Sequence, residues 1–253
     1  MNINTLLTCT ALLLFLLAMA ILGRKMRCRL PDDHLAADSA EAVKLSMGLL
    51  ASMTGLLLGL LVSSAKSNYD ALRTEVIQMS AKVSILGRVL DAYGPEASAA
   101  RGDFSNYATE TLHLMWPQES GVHAQLGVNG EKGELLYLSL CRLAARDSVR
   151  NDLKERAKNL AVELGELRML IKAQAGPSVP PGLLLVLGCW LGVLFFSFSL
   201  LAPPNPTTAS ALAAAAFSIV GAVFLIQELD QPFSGSLPIS SQPMLQALEM
   251  IKR

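Results

Sequence analysis

Four stretches of this chain hold no Asp, Glu, Lys or Arg: Thr5–Gly23, Leu45–Ala65, Gly182–Ala202 and Thr207–Gln227. Charge is scarce overall, at 17% of 253 residues, where average soluble domains carry roughly a quarter. Each uncharged stretch is near the ~20 residues that cross a hydrocarbon core of ~30 Å. Four of them exclude an ordinary soluble core and predict four transmembrane helices in two pairs. The first run reads as a span and not as a cleaved leader. "MNIN" before it has no basic residue, and "RKMRCR" follows it, the reverse of a signal peptide.

Other absences narrow the function. The 21 basic and 21 acidic residues cancel, which excludes the basic face of a nucleic-acid protein, so no nucleic-acid partner is expected. His34, His113 and His123 have no metal-ligand spacing. Cys9, Cys28, Cys141 and Cys189 show no close pairing, and Cys28 and Cys141 fall on opposite sides of the membrane in any four-helix topology. Free thiols are expected. No nucleophile–base pair, metal spacing or phosphate loop appears, which predicts no catalytic residue, no metal, no cofactor and no enzyme activity. The spans also lack the intramembrane acid of a proton-coupled transporter.

What is present is helical throughout. From Tyr69 the apolar positions fall at Leu72, Val76, Met79, Val83, Leu86, Leu90 and Tyr93, in steps of three and four. That heptad seam continues the second membrane run without Pro or Gly between them, so one long helix leaves the membrane. "YGPE" ends it, with Gly94 as the cap and Pro95 opening a helix to Met115 whose face carries Ala100, Phe104, Tyr107, Thr111 and Leu114. The run "WPQESGVHAQLGVNGEKG" reads as a loop, Leu135–Leu143 as a short helix, and Val149, Leu153, Ala157, Leu160, Leu164, Leu167 and Ile171 as a second seam. The predicted fold is all-α, with four transmembrane helices in two pairs and a long antiparallel helical stalk inserted between them. Residues 1–65 form the first pair, 66–179 an extramembrane bundle, 180–227 the second pair, and 228–253 an interfacial segment in which Phe233 packs at the membrane surface.

In this topology the second and fourth spans end on one side. Lys66 and Asp70 at one end then meet Glu228 and Asp230 at the other, a predicted charge cluster at the membrane interface. On the opposite side lie a short basic loop and "APPNPT", whose prolines break the helix and whose Thr207 would cap the next. Small residues recur four apart within the spans: Ala51, Gly55, Gly59 and Ser63, then Gly188 and Gly192, then Ala214, Ser218 and Ala222. Such stripes let helices approach closely and predict a tight bundle or a homo-oligomer in the lipid bilayer. Arg24, Lys25, Arg27 and Arg29 put the short loop in the cytoplasm and the stalk outside the inner membrane by the positive-inside rule.

"LPDDHL", "GLLASMTGLLLGLLVSSAKSNYD", "RVLDAYGPE", "APPNPT" and "ELDQPFSG", in this order, resemble the bacterial bestrophin-like family of unknown function. The chain departs from that pattern at Gly87-Arg88, where the family tends to have Asp-Arg; a glycine there costs ~1 kcal/mol in mid-helix. The resemblance implies kinship with pentameric chloride channels, hence an oligomeric channel passing an inorganic anion, and soluble helices in the cytoplasm. The basic loop argues for the other orientation. Residue chemistry by itself slightly favours a second function, because nothing marks a filter: a non-conducting membrane scaffold or sensor whose stalk binds a protein partner; with the resemblance added the two are nearly even.

Overall fold

The structure, a computed structural model, describes residues 3–27, 29, 37–116, 130–176, 179–203, 205–233 and 235–251. Cys28, His34 and His123, with most of the loop after Trp116, lie outside the described residues. Eight α-helices occur among those described: α1 (Ile3–Arg27), α2 (Ala37–Tyr93), α3 (Ser98–Met115), α4 (Glu131–Cys141), α5 (Ser148–Gln174), α6 (Pro181–Leu201), α7 (Pro206–Leu229) and α8 (Gln242–Ile251). Four of them, α1, α2, α6 and α7, are long and apolar enough to cross a membrane.

Local chemistry sets the boundaries. Gly94 closes α2 at φ 104°, a left-handed conformation open to glycine. Pro95 does not open α3 directly; it begins a 3-10 turn, Pro95–Ala97, before Ser98. Asp147 is the N-cap of α5 and accepts from the backbone N–H of Arg150 at 2.7 Å. α4 begins at Glu131, four residues before the expected Leu135, because "EKG" joins the helix. At α7 the cap is Asn205 and Pro206 takes the first position, so Thr207 lies inside the first turn and does not cap it.

The contacts divide the chain into two compact units. The first contains Met1–Ser67 and Pro177–Asp230, the second Asn68–Gly176 and Gln231–Arg253. α2 contributes a segment to each.

The core of the second unit contains the α2 seam. Leu72, Val76, Met79, Val83, Leu86, Leu90 and Tyr93 are all buried, against Phe104 and Tyr107 of α3, Leu136 and Leu140 of α4, and Ala157, Leu160, Leu164 and Ile171 of α5. Val149 does not join them; it is exposed. Lys82 of α2 is ion-paired with Glu163 of α5. The chain after Gln231 also enters this core. Phe233, expected at a membrane surface, is buried and meets Trp116 edge-on at 5.8 Å. Trp116 Nε1 donates to the Ile239 carbonyl at 2.7 Å, and α8 buries Met244, Ala247 and Leu248. An amphipathic helix needs an apolar surface, and here protein supplies it.

Candidate functional site

The first unit is built on close helix contacts. Gly188 faces Leu12, and a methyl built on Gly192 would lie 2.7 Å from the Phe15 ring. A methyl on Gly23 would lie 2.3 Å from the Phe196 carbonyl oxygen. Ser199 Oγ donates to the Ala20 carbonyl at 2.5 Å. These pairs rise together along both helices, so α1 and α6 run parallel. Arg27 closes the contact by donating to the carbonyls of Ala202, at 2.6 Å, and Leu200, at 3.3 Å. A cation is favoured at this C-terminal end of α6. Gly23 and Arg27 escaped the sequence pattern because α1 carries no repeated small residue four apart.

Ala51, Gly55 and Gly59 stand differently. A methyl on Gly55 or Gly59 meets no atom within 4 Å. Ala51 and Gly55 line a cleft of about 470 Å³ with Leu191, Phe195, Leu212 and Ile219. In this half α2 buries Met47, Thr54, Leu61 and Ala65 and turns Leu45, Leu49, Leu56 and Leu60 outward at 67–72% exposure. That outward face is too apolar for water and suits lipid or another protein surface.

Lys66, Glu228 and Asp230 all belong to this first unit, and Asp70 to the second. Lys66 is exposed and Asp230 half-buried, while Glu228 is 1% exposed. Glu228 sits in the last turn of α7, where the helix dipole disfavours an anion. All four of these side chains take part in polar or electrostatic contacts.

A family model, the bestrophin-like domain, matches residues 10–244. The chain belongs to the bestrophin-like family. Its fold is also that of crystal structures of a bacterial bestrophin homolog from Klebsiella pneumoniae, each carrying one substitution. One aligns with TM-score 0.71 at 15% identity over 100% of both chains. A second gives 0.68 at 16% identity, covering 97% of this chain and 100% of that one. A third gives 0.66 at 15% identity, covering 96% and 97%. No curated protein sequence matches the chain.

The second unit of this bestrophin-like protein holds charged groups with shifted acidity. Burial pushes the Glu75 carboxyl up, opposed by the hydrogen bond that Gln174 donates to Oε1 at 2.8 Å. Its Oε2 is buried without a hydrogen-bond partner. A hydrogen bond from Lys82 holds Glu163 below the usual carboxylate range. Backbone and Arg150 hydrogen bonds do the same for Glu96, the Arg150 contact measuring 2.8 Å. Arg150 also lies over the Tyr93 ring, 5.9 Å from its centre. No group of three or more metal-ligating side chains occurs among the described residues.

Proposed function

We propose that this protein is an oligomeric anion channel of the inner membrane. The observation that carries the reading is the outward face of α2. It holds Gly48, Ser52, Gly55, Gly59 and Ser63 together with leucines, and the three glycines have open space beside them. One subunit of four crossings encloses no pore, so α2 faces from several copies would have to surround it. Family membership and the absence of charge from all four spans support the same reading.

In this proposal the spans form two pairs, residues 1–65 and 180–227. The bundle of residues 66–179 is an extramembrane stalk, and 228–253 is the C-terminal segment that leaves the fourth span at the membrane interface. Lys66 pairs with Glu228 and Asp230 near the membrane surface, with Asp70 beside it, and these charges sit at the pore mouth. Pairing would offset the roughly 2.5–3.5 kcal/mol that an unpaired buried charge costs at membrane depth. Arg24, Lys25, Arg27 and Arg29 support a cytoplasmic short loop and an external stalk. An impermeant thiol reagent on intact cells would then label a variant retaining Cys141 alone and leave one retaining Cys28 alone unlabelled.

Planar-bilayer recording from a verified oligomer tests the function. The expected result is an anion-selective current that is altered by Lys66→Glu. Absence of current across a range of anions and cations overturns the channel and leaves the non-conducting scaffold.

A further inference from the structure

The second unit has two exposed apolar surfaces. One is a stripe on α2: Ile77 and Ile85 are 48% and 42% exposed, with Ala81 exposed between them. Their spacing puts them on the side of α2 opposite the buried seam. Thr74 and Gln78 share that side, and its nearest charges are Asp70 and Arg88. The other surface is a groove of about 460 Å³ between α4 and α5, floored by Tyr107 of α3. Leu138, Val162 and Met169 line it at 49%, 47% and 67% exposure. A methyl on Gly165, also in the lining, meets nothing within 4 Å. The polar end of the groove is made by Arg168 and Lys172 of α5 at the first turn of α4, beside Gly130 and Glu134.

Lipid does not cover either surface. α3, α4 and α5 are not among the helices apolar enough to cross a membrane, and α2 carries Arg73, Glu75 and Lys82 around its stripe. Apolar faces on such a unit are covered by protein. The two surfaces also match in level. α5 runs antiparallel to α2, since Lys82 pairs with Glu163 and Gln174 donates to Glu75 at 2.8 Å. To within about one helical turn, this register sets Ile77 level with Met169, Ala81 with Gly165, and Ile85 with Val162. Thr74 and Gln78 come level with Lys172 and Arg168, so the polar part of the stripe matches the polar end of the groove. Rotation about an axis along α2 keeps every residue at its own level. Side chains that meet across such a ring must therefore be level within one chain.

We propose that the Ile77, Ala81 and Ile85 stripe of one copy seats in the α4–α5 groove of the next, with Ile77 against Met169 and Ile85 against Val162. The open space at Gly165 admits the facing side chains, which gives a use to a glycine that otherwise weakens mid-helix. The contact is head-to-tail, and its repetition around a closed ring leaves neither surface uncovered. It rests on the oligomer of the channel reading and does not require conduction.

The test uses full-length protein with its native cysteines replaced by alanine and its melting temperature checked against wild type. One tagged form carries Ile77→Cys and a differently tagged form Met169→Cys. The two are co-expressed and mildly oxidised, and non-reducing gels read disulfide dimers that join the two tags. Such dimers are expected for this pair and for Ile85→Cys with Val162→Cys. The crossed pair, Ile77→Cys with Val162→Cys, is about 10 Å out of level and should link several-fold less. Gly165→Leu fills the groove and should lower the matched links several-fold in a protein that still folds. Light scattering separates the two readings. A monomer overturns the oligomer and the docking together. An oligomer in which matched and crossed pairs link equally, or in which Ile77→Cys links chiefly to its own counterpart, overturns the docking alone. So does undiminished linking in folded Gly165→Leu.

Discussion

Ile251, at the end of α8, lies against Gly87 near the C-terminal end of α2. A methyl on Gly87 would come 3.0 Å from Ile251 Cγ1, while Phe104 Cε1 would be 3.9 Å away. The glycine that weakens the helix is thus a notch for the C-terminal helix. A side chain the size of an aspartate at this position would occupy the space Ile251 fills.

Gly87→Ala sets a helix-propensity gain of ~1 kcal/mol against a tight contact with a flexible side-chain end. A net stability change within about 1 kcal/mol is expected, since Ile251 can turn aside. Gly87→Leu leaves no such escape and should destabilise by about 1–3 kcal/mol, with faster amide exchange across Gln242–Ile251. Equal protection of α8 in the leucine variant would rule out the notch.

Gly23 and Gly55 should respond in opposite ways to one change. Alanine at Gly23 meets a backbone oxygen at 2.3 Å, which cannot rotate away. Separation of α1 from α6 should lower stability by about 1–3 kcal/mol. Alanine at Gly55 meets nothing in the chain and should cost no stability within the subunit. Gly55→Leu should reduce the oligomer mass by light scattering if that face meets another copy, and leave it unchanged if it meets lipid.

Two carboxylates predict opposite pH responses. Glu163 is held low by Lys82. Its contribution is present above the ordinary carboxylate pKa of about 4.3 and is lost as pH falls through the lower folded value. Glu75 is pushed up by burial. Its contribution is present below about pH 4.3 and is lost as pH rises through the higher folded value. Glu75→Gln should therefore raise the melting temperature at neutral pH, and Glu163→Gln should lower it there while narrowing the loss on acidification. Melts from pH 3.5 to 8 on both variants read the two signs.

The proposed Lys66 pairing has its own signature. Lys66→Ala should lower thermal stability, and removing Glu228 and Asp230 as well should add little, because the carboxylates are then no longer left unpaired. Strictly additive losses in the double-mutant cycle would reject the pairing.

The α2 seam was legible because periodicity survives any neighbour: a helix that buries Leu72, Val76, Met79 and Val83 must space them three and four apart. Val149 kept that spacing yet stays exposed, since periodicity cannot say how far a partner helix extends. The small-residue stripes were equally ambiguous. Gly188 and Gly192 face α1, while a methyl on Gly55 or Gly59, which carry the same pattern, would meet nothing within 4 Å.

Length and lack of charge, read from the residues alone, determined that four helices can cross a membrane and that Gly94 and Pro95 interrupt the long one. Those are local properties of about twenty residues or of a single backbone angle. Tertiary structure alone decided that Phe233 meets Trp116, that Ile251 sits on Gly87, and that Arg168 and Lys172 return to the start of α4. Each joins positions far apart in sequence, and their meeting depends on how helices pack, which no single segment encodes.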